Sequence, residues 1–205
     1  MINNPLVSFS KVFKVFKKHY IEVPLQYFKD NPYQSLVSTL LSSRTKDEVT
    51  LAASKRLFSK APNIKKLSQI DIKQLSETIY PVGFYKTKAK HLNILSEMIL
   101  NKFKGIIPNT REELMLLPGV GRKTANLVLN RAFKIPAIAV DTHVHRISNL
   151  IGWVKTTTPQ KTEIELNKIL PKKYWHEANR LFVSIGRQFT SKKKLYQFLK
   201  KEGLT

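Results

Sequence analysis

The sequence contains no cysteine among its 205 residues. Disulfides, thiolate metal sites and cysteine-ligated iron–sulfur clusters are therefore excluded. No apolar run approaches the roughly 20 residues that cross a bilayer, and no stretch is organised like a secretory signal peptide. We therefore expect no membrane partner and a cytoplasmic location.

Acidic residues are also scarce. The chain has 14 Asp and Glu residues against 36 Lys and Arg residues, which gives a formal net charge of +22. A charge of this size favours a polyanionic partner, with nucleic acid ahead of a membrane surface. A lysine-rich proteome is the alternative explanation of the charge.

Strand signals are nearly absent, whereas helical periodicity and N-cap residues recur along the chain. Ser8, Asn31 before Pro32, and Thr158 before Pro159 are predicted to start helices, and Thr45 and Thr110 each begin a predicted capping box. The only strand-like run, residues 135–140, has no partner and is interpreted as an extended connector. The chain is therefore predicted to be all-α, with about ten helices.

The most informative stretch runs from Leu114 to Arg146, with a tight Pro118-Gly119-Val120-Gly121 turn between two predicted helices. Proline ends the first helix, and the glycines permit positive φ or close approach of another backbone. The first N–H groups of the second helix lack internal partners and suit a phosphate. The pattern predicts a helix-hairpin-helix, whose carbonyls could also hold a monovalent cation.

Four residues in or after this hairpin could carry chemistry. Lys123 lies in the first turn of the second helix, where it could contact a phosphate or act as an amine nucleophile. Asp141 precedes another helix and is a favoured N-cap. His143 and His145 have no evident third ligand, which argues against a metal site.

The segments LPGVGRKTANLVLN and IAVDTHVHR closely resemble the helix-hairpin-helix DNA glycosylases, in particular the endonuclease III branch. The resemblance extends from about Asn31 to Arg187. It implies two helical domains that flank a DNA cleft. Residues 25–135 would form a six-helix barrel containing the hairpin, and residues 1–24 with 136–205 would form the second domain.

The same resemblance implies a bifunctional DNA glycosylase and abasic-site lyase that acts on oxidised pyrimidines in base excision repair. Lys123 would be the nucleophile, because desolvation and the positive end of its helix favour the neutral amine. Asp141 would be the catalytic carboxylate, a role that is compatible with capping. The expected partner of the monomeric, nucleoid-associated protein is duplex DNA with damaged bases or abasic sites.

Further positions follow from the family pattern. Arg44 would fill the gap left by the extruded base, and Phe84 would be an apolar wedge, although a surface arginine and a core phenylalanine are the plain alternatives. Ser42, Asp47 and His143 would line the base pocket. The expected DNA-binding residues are Arg44, Lys46, Phe84, Gly119, Val120, Gly121, Arg122, His145, Arg146 and Arg187.

The C-terminus departs from the family, since most endonuclease III relatives carry four cysteines there for an iron–sulfur cluster. Thr190 stands at the first of these positions, and a basic helix follows. We expect no cofactor, with packing by Leu195, Phe198 and Leu199 replacing the cluster's structural role. Two alternatives remain: a glycosylase for uracil or thymine opposite guanine, and a non-catalytic DNA-binding module.

Overall fold

The structure is a computed structural model that describes residues 7–23, 28 and 30–205. It divides into two compact units. The central unit comprises Pro24–Ile135, and the terminal unit combines Met1–Val23 with Pro136–Thr205. The expected boundary between residues 24 and 25 lies outside the described residues.

Each unit is helical, and the described parts of the chain contain no strand, which confirms the all-α prediction. The helices of the central unit are α2 (Pro32–Ser42), α3 (Asp47–Lys60), α4 (Ile64–Ser68), α5 (Ile72–Ile79), α6 (Tyr85–Lys102), α7 (Arg111–Leu116) and α8 (Arg122–Ala132). Those of the terminal unit are α1 (Phe9–Lys18), α9 (Thr142–Leu150), α10 (Pro159–Ile169), α11 (Trp175–Gln188), with a 3₁₀ turn at Lys172–Tyr174 before it, and α12 (Lys192–Lys201). No helix in these parts of the chain is both long and apolar enough to cross a bilayer.

Local capping explains where most helices begin. The side chains of Ser8, Asn31, Thr110 and Thr158 each accept a hydrogen bond from a backbone N–H of the first turn, as predicted. Helix α4 was not predicted, because five residues are too few to show a helical period. Its N-cap, Asn63, was the available signal.

The predicted capping box at Thr45 is wrong. Helix α3 begins at Asp47, with Lys46 at the N-cap and no side-chain cap. The Thr45 hydroxyl instead accepts a hydrogen bond from the backbone N–H of Gly83, at 3.1 Å. The Thr45 side chain therefore makes a tertiary contact with Gly83 and does not cap the helix.

Helix α2 forms the centre of the central unit. It packs against α3, α6 and α8, and residues 35–41 are buried. This arrangement brings the C-terminal end of α2 close to the start of α6 and to the hairpin between α7 and α8. Each of these segments carries residues for which the sequence predicts a function.

The terminal unit has an aromatic core of its own. Phe13 and Phe16 of α1 pack against Phe182 of α11, with ring centroids 6.1 and 5.0 Å apart. Leu195, Phe198 and Leu199 of α12 are buried in the same core, as the sequence predicts. The chain after α11 is therefore held by apolar packing.

Candidate active site

The predicted hairpin joins α7 to α8. Gly119 has φ of 78°, and the backbone N–H of Val120 donates to the Leu117 carbonyl at 3.1 Å. Gly121 is the N-cap of α8, and no side chain caps this helix. An end without a side-chain cap suits an external anion such as a phosphate.

The two hairpin glycines lie in different surroundings. A Cβ added at Gly119 would lie 2.6 Å from His91 Nδ1, so this glycine is required for packing within the central unit. A Cβ at Gly121 would meet no atom within 4 Å, so the structure of the free protein does not require glycine there.

The hairpin is fixed from inside the unit. Arg111 of α7 donates through Nε to Oδ1 of the fully buried Asn126 of α8, at 2.8 Å. Val120 is buried, with only 6% of the residue exposed. The Val120 side chain is therefore not available for a contact with DNA.

Lys123 lies in the first turn of α8, and its side chain is exposed. The desolvation expected for a nucleophilic amine is therefore not provided by the free protein. Desolvation of the Lys123 amine therefore has to come from a molecule that binds at the N-terminal end of α8.

Asp141 is the N-cap of α9, as predicted. Its Oδ1 accepts hydrogen bonds from the backbone N–H groups of His143 and Val144, both at 2.9 Å. Both cap contacts use the same oxygen, so Oδ2 lies outside the cap. The carboxylate is half-buried and is held in one orientation by the helix end.

The two histidines of α9 have different neighbours. The His143 ring packs on Gly186 of α11 so closely that a Cβ there would lie 2.1 Å from His143 Nδ1. His145 Nδ1 lies 2.6 Å from the Thr162 hydroxyl of α10. Neither belongs to a group of three potential metal ligands in the described part of the chain.

Arg146 has a structural role that the sequence did not reveal. Its guanidinium donates to the backbone carbonyls of Thr190, Gly186 and Phe189, at 2.7, 3.2 and 3.2 Å. These contacts satisfy carbonyls at the C-terminal end of α11. The expected contact of Arg146 with phosphate remains a prediction, as does that of the exposed Arg187.

The segment after α2 presents charged side chains. Arg44 and Lys46 are exposed, and Asp47 is half-buried in the first turn of α3. The Ser42 hydroxyl donates to the Thr39 carbonyl of its own helix, at 2.7 Å. Ser42 can therefore act in a base pocket only if this hydroxyl rotates or accepts a second hydrogen bond.

Phe84 is 60% exposed, which excludes the alternative that it packs in a core. The Arg44 guanidinium carbon lies 5.4 Å from the centroid of the Phe84 ring. Both residues line a groove of about 220 Å³ that Gly119 also borders. The expected gap-filling residue and the expected wedge are therefore neighbours on one surface of the central unit.

Sequence reasoning missed one buried cation beneath this surface. Lys88 of α6 is 5% exposed, and burial lowers its pKa to about 8. The signal was available, because position 88 continues the apolar stripe formed by Leu92, Leu95 and Ile99. A lysine at such a position is rarely buried unless partners satisfy it.

Comparison with known proteins gives a consistent family. Residues 37–172 match the HhH-GPD superfamily base excision DNA repair protein family. Endonuclease III of Thermotoga maritima is 46% identical over 165 residues, covering 80% of this chain and 78% of that protein. Endonuclease III-like protein 1 of Gallus gallus is 45% identical over 159 residues, covering 76% of this chain but only 57% of the longer chicken protein.

Solved structures agree with this match. A trapped covalent endonuclease III–DNA intermediate, an estranged-adenine complex, superposes with a TM-score of 0.78 at 33% identity, covering 89% of this chain and 84% of the other. A non-covalent endonuclease III–DNA complex gives 0.80 at 31% identity, covering 92% and 90%. Together with the helix-hairpin-helix followed by Lys123, these matches confirm the predicted resemblance: the chain belongs to the endonuclease III family of the HhH-GPD superfamily of base excision DNA repair proteins.

Proposed function

We propose that the protein removes oxidised pyrimidines from duplex DNA and then cleaves the strand through a Schiff base on Lys123. Its family supports the reaction class, a base excision repair glycosylase and abasic-site lyase. The observation that carries the assignment to Lys123 is its position in the first turn of α8, directly after the glycine hairpin.

The reaction begins with the neutral Lys123 amine attacking C1′ of an extruded nucleotide, since C1′ cannot be reached inside a duplex. A C1′–N bond forms, and the glycosidic bond breaks with its electron pair going to the base, which takes up a proton. The sugar ring opens to give an imine. Loss of a C2′ proton then expels the 3′ phosphate by β-elimination.

Asp141 has two compatible roles in this proposal. It caps α9 through Oδ1, and its negative charge stabilises cationic character that develops at C1′ or helps to activate the lysine. A carboxylate fixed by two backbone N–H groups needs little reorganisation during the reaction. The proposed base pocket uses the family positions Ser42, Asp47 and His143.

Duplex DNA is the proposed partner, and the formal charge of +22 supports it. The extruded base and sugar would cover the exposed Lys123 amine and supply the desolvation that the free protein lacks. Arg44 and Phe84 are proposed to enter the base stack. Backbone N–H groups at Gly121 and Arg122 are proposed to bind a phosphate, and the hairpin carbonyls are proposed to hold a monovalent cation beside it.

The C-terminus is proposed to work without a cluster. Leu195, Phe198 and Leu199 are buried in the core of the terminal unit, so α12 is anchored without metal ligands. The exposed lysines at positions 192–194 remain available for phosphate contacts. We therefore expect activity in a protein with no cysteine.

Borohydride trapping on a duplex with one abasic site tests the proposal. Wild-type protein should give a covalent adduct, Lys123→Ala should give none, and Lys66→Ala, an exposed lysine on α4, should match wild type. A wild type without adduct, or equal adducts from wild type and Lys123→Ala, would overturn the assignment. A panel of lesion duplexes then separates oxidised pyrimidines from uracil or thymine opposite guanine.

A further inference from the structure

Lys88 is enclosed by hydrogen-bond acceptors. Its Nζ donates to the Leu41 carbonyl at 2.8 Å, the Ser43 carbonyl at 2.5 Å and the Thr45 hydroxyl at 3.2 Å. The three donors of the ammonium group therefore each have a partner. The last turn of α2 contains no basic residue. Lys88 of α6 places a positive charge at this C-terminal helix end, where the helix dipole favours a cation.

Thr45 extends these contacts to a second turn. Its hydroxyl accepts from Lys88 and from the Gly83 backbone N–H, and it donates to the Ser43 carbonyl at 3.2 Å. The two turns also touch directly, because a Cβ at Gly83 would lie 2.4 Å from the Arg44 carbonyl oxygen. The turn after α2 and the turn before α6 thus form one bonded group.

Each turn carries one residue in a left-handed conformation. Arg44 has φ of 52° and Phe84 has φ of 57°, although neither is glycine. Such residues cost free energy and persist only where surrounding contacts hold them. The Lys88 ammonium bonds directly to the turn after α2 and is linked to the turn before α6 through the Thr45 hydroxyl. The side chains of Arg44 and Phe84 meet on the surface as a cation–π pair.

We propose that Lys88 is a positioning residue that holds Arg44 and Phe84 as one preformed unit for insertion into the base stack. The inference rests on the proposed function. Lys88 does not touch DNA in this account and acts only through the side chains of Arg44 and Phe84. Extrusion of a base from a duplex should therefore depend on Lys88, whereas imine formation on an abasic site in single-stranded DNA should not.

The first test is Lys88→Met, which keeps an unbranched chain as far as Cε and removes the ammonium group. Single-turnover excision of an oxidised pyrimidine from a duplex should slow by at least about tenfold, the cost of losing a single hydrogen bond to a charged group, because Lys88→Met removes all three Nζ contacts. Borohydride trapping on a single-stranded abasic oligonucleotide should be unchanged. Lys90→Met, an exposed lysine on the same helix, is the matched control.

A mutant cycle distinguishes positioning from a general structural effect. In a background with Arg44→Ala and Phe84→Ala, adding Lys88→Met should change duplex excision less than twofold, because nothing is left to position. Thr45→Val, which keeps the shape and removes the bridging hydroxyl, should reproduce part of the Lys88→Met loss. An additive loss in the cycle, or an equal loss on single-stranded substrate, would overturn the inference.

The two proposals fail in different ways. If wild type forms no borohydride adduct on any abasic substrate, the proposed function is wrong. If wild type is active and Lys88→Met excises the duplex lesion at the wild-type rate, only the role of Lys88 is wrong. A fluorescent base analogue opposite the lesion gives a direct measure, and its signal on binding should fall in Lys88→Met.

Discussion

The two hairpin glycines should respond in opposite ways to alanine. Gly119 has φ of 78°, which costs an alanine about 1–2 kcal/mol, and the new Cβ would lie 2.6 Å from His91 Nδ1. Gly121 has φ of −91° and an empty Cβ position. Alanine there should stabilise the fold by about 0.4–1 kcal/mol, because the unfolded chain loses freedom.

Thermal unfolding measures the difference. Since 1 kcal/mol corresponds to about 2–4 °C in a chain of this size, Gly119→Ala should lower the Tm by several degrees. Gly121→Ala should raise the Tm by about 1–4 °C. Equal shifts of the same sign in both variants would refute the argument from backbone conformation and packing.

Gly121→Ala should weaken DNA binding, although it should stabilise the fold. If the N-terminal end of α8 binds a phosphate, a methyl group at Gly121 holds the phosphate away from the backbone N–H groups. Losing one hydrogen bond to a charged group costs about 1.5–3 kcal/mol, so Gly121→Ala should bind an abasic duplex at least about tenfold more weakly. Fluorescence anisotropy at fixed salt measures this, and wild-type affinity in this more stable variant would show that the hairpin does not approach the phosphate.

Three further predictions concern charged groups. Asp141→Asn should keep the cap of α9 and the Tm, because asparagine caps as well as aspartate, but it should lose excision activity. Asp141→Ala should lose both the activity and about 1 kcal/mol of stability. An active Asp141→Asn variant would show that Asp141 serves only as a helix cap. Burial alone would raise the pKa of Glu177, but its ion pairs with Lys17 and Arg180 outweigh burial and lower that pKa below its ordinary 4.5. The stability that Glu177 contributes is thus present above pH 4.5 and is lost as the pH falls through the lowered pKa. Glu177→Gln should therefore weaken the dependence of the free energy of unfolding on pH in this acid range. An unchanged pH dependence would contradict this prediction. Burial lowers the pKa of Lys88 to about 8, so the ratio of wild-type to Lys88→Met excision rates should fall as the pH rises through about 8, and a constant ratio would contradict it.

Much of the fold could be predicted from local patterns. Asn31 before Pro32 marked the start of α2, and the glycine hairpin marked the junction of α7 and α8. These features depend on residues within one turn of each other. The sequence therefore contains both the side chain and its partner in a single short window.

The features that the sequence did not predict depend on residues far apart in the chain. Thr45 looked like a local cap, but its hydroxyl pairs with the N–H of Gly83, 38 residues away. Lys88 binds carbonyls more than 40 residues earlier, and Arg146 binds those of α11 about 40 residues later. No periodicity reveals a backbone carbonyl as a partner, because every residue has one.

Ordinary side-chain contacts hold the chain after α11, in a protein that has no cysteine. Arg146 gathers the last carbonyls of α11 near Thr190, where relatives would begin the cluster loop. Phe189 then stacks on Phe198 of α12 with centroids 4.3 Å apart, and Lys11 donates to the Gly203 carbonyl at 2.7 Å. A guanidinium, an aromatic pair and an ammonium thus hold the chain at successive points after α11. None of these contacts uses a metal ligand, as the proposal of a C-terminal segment packed without a cluster requires.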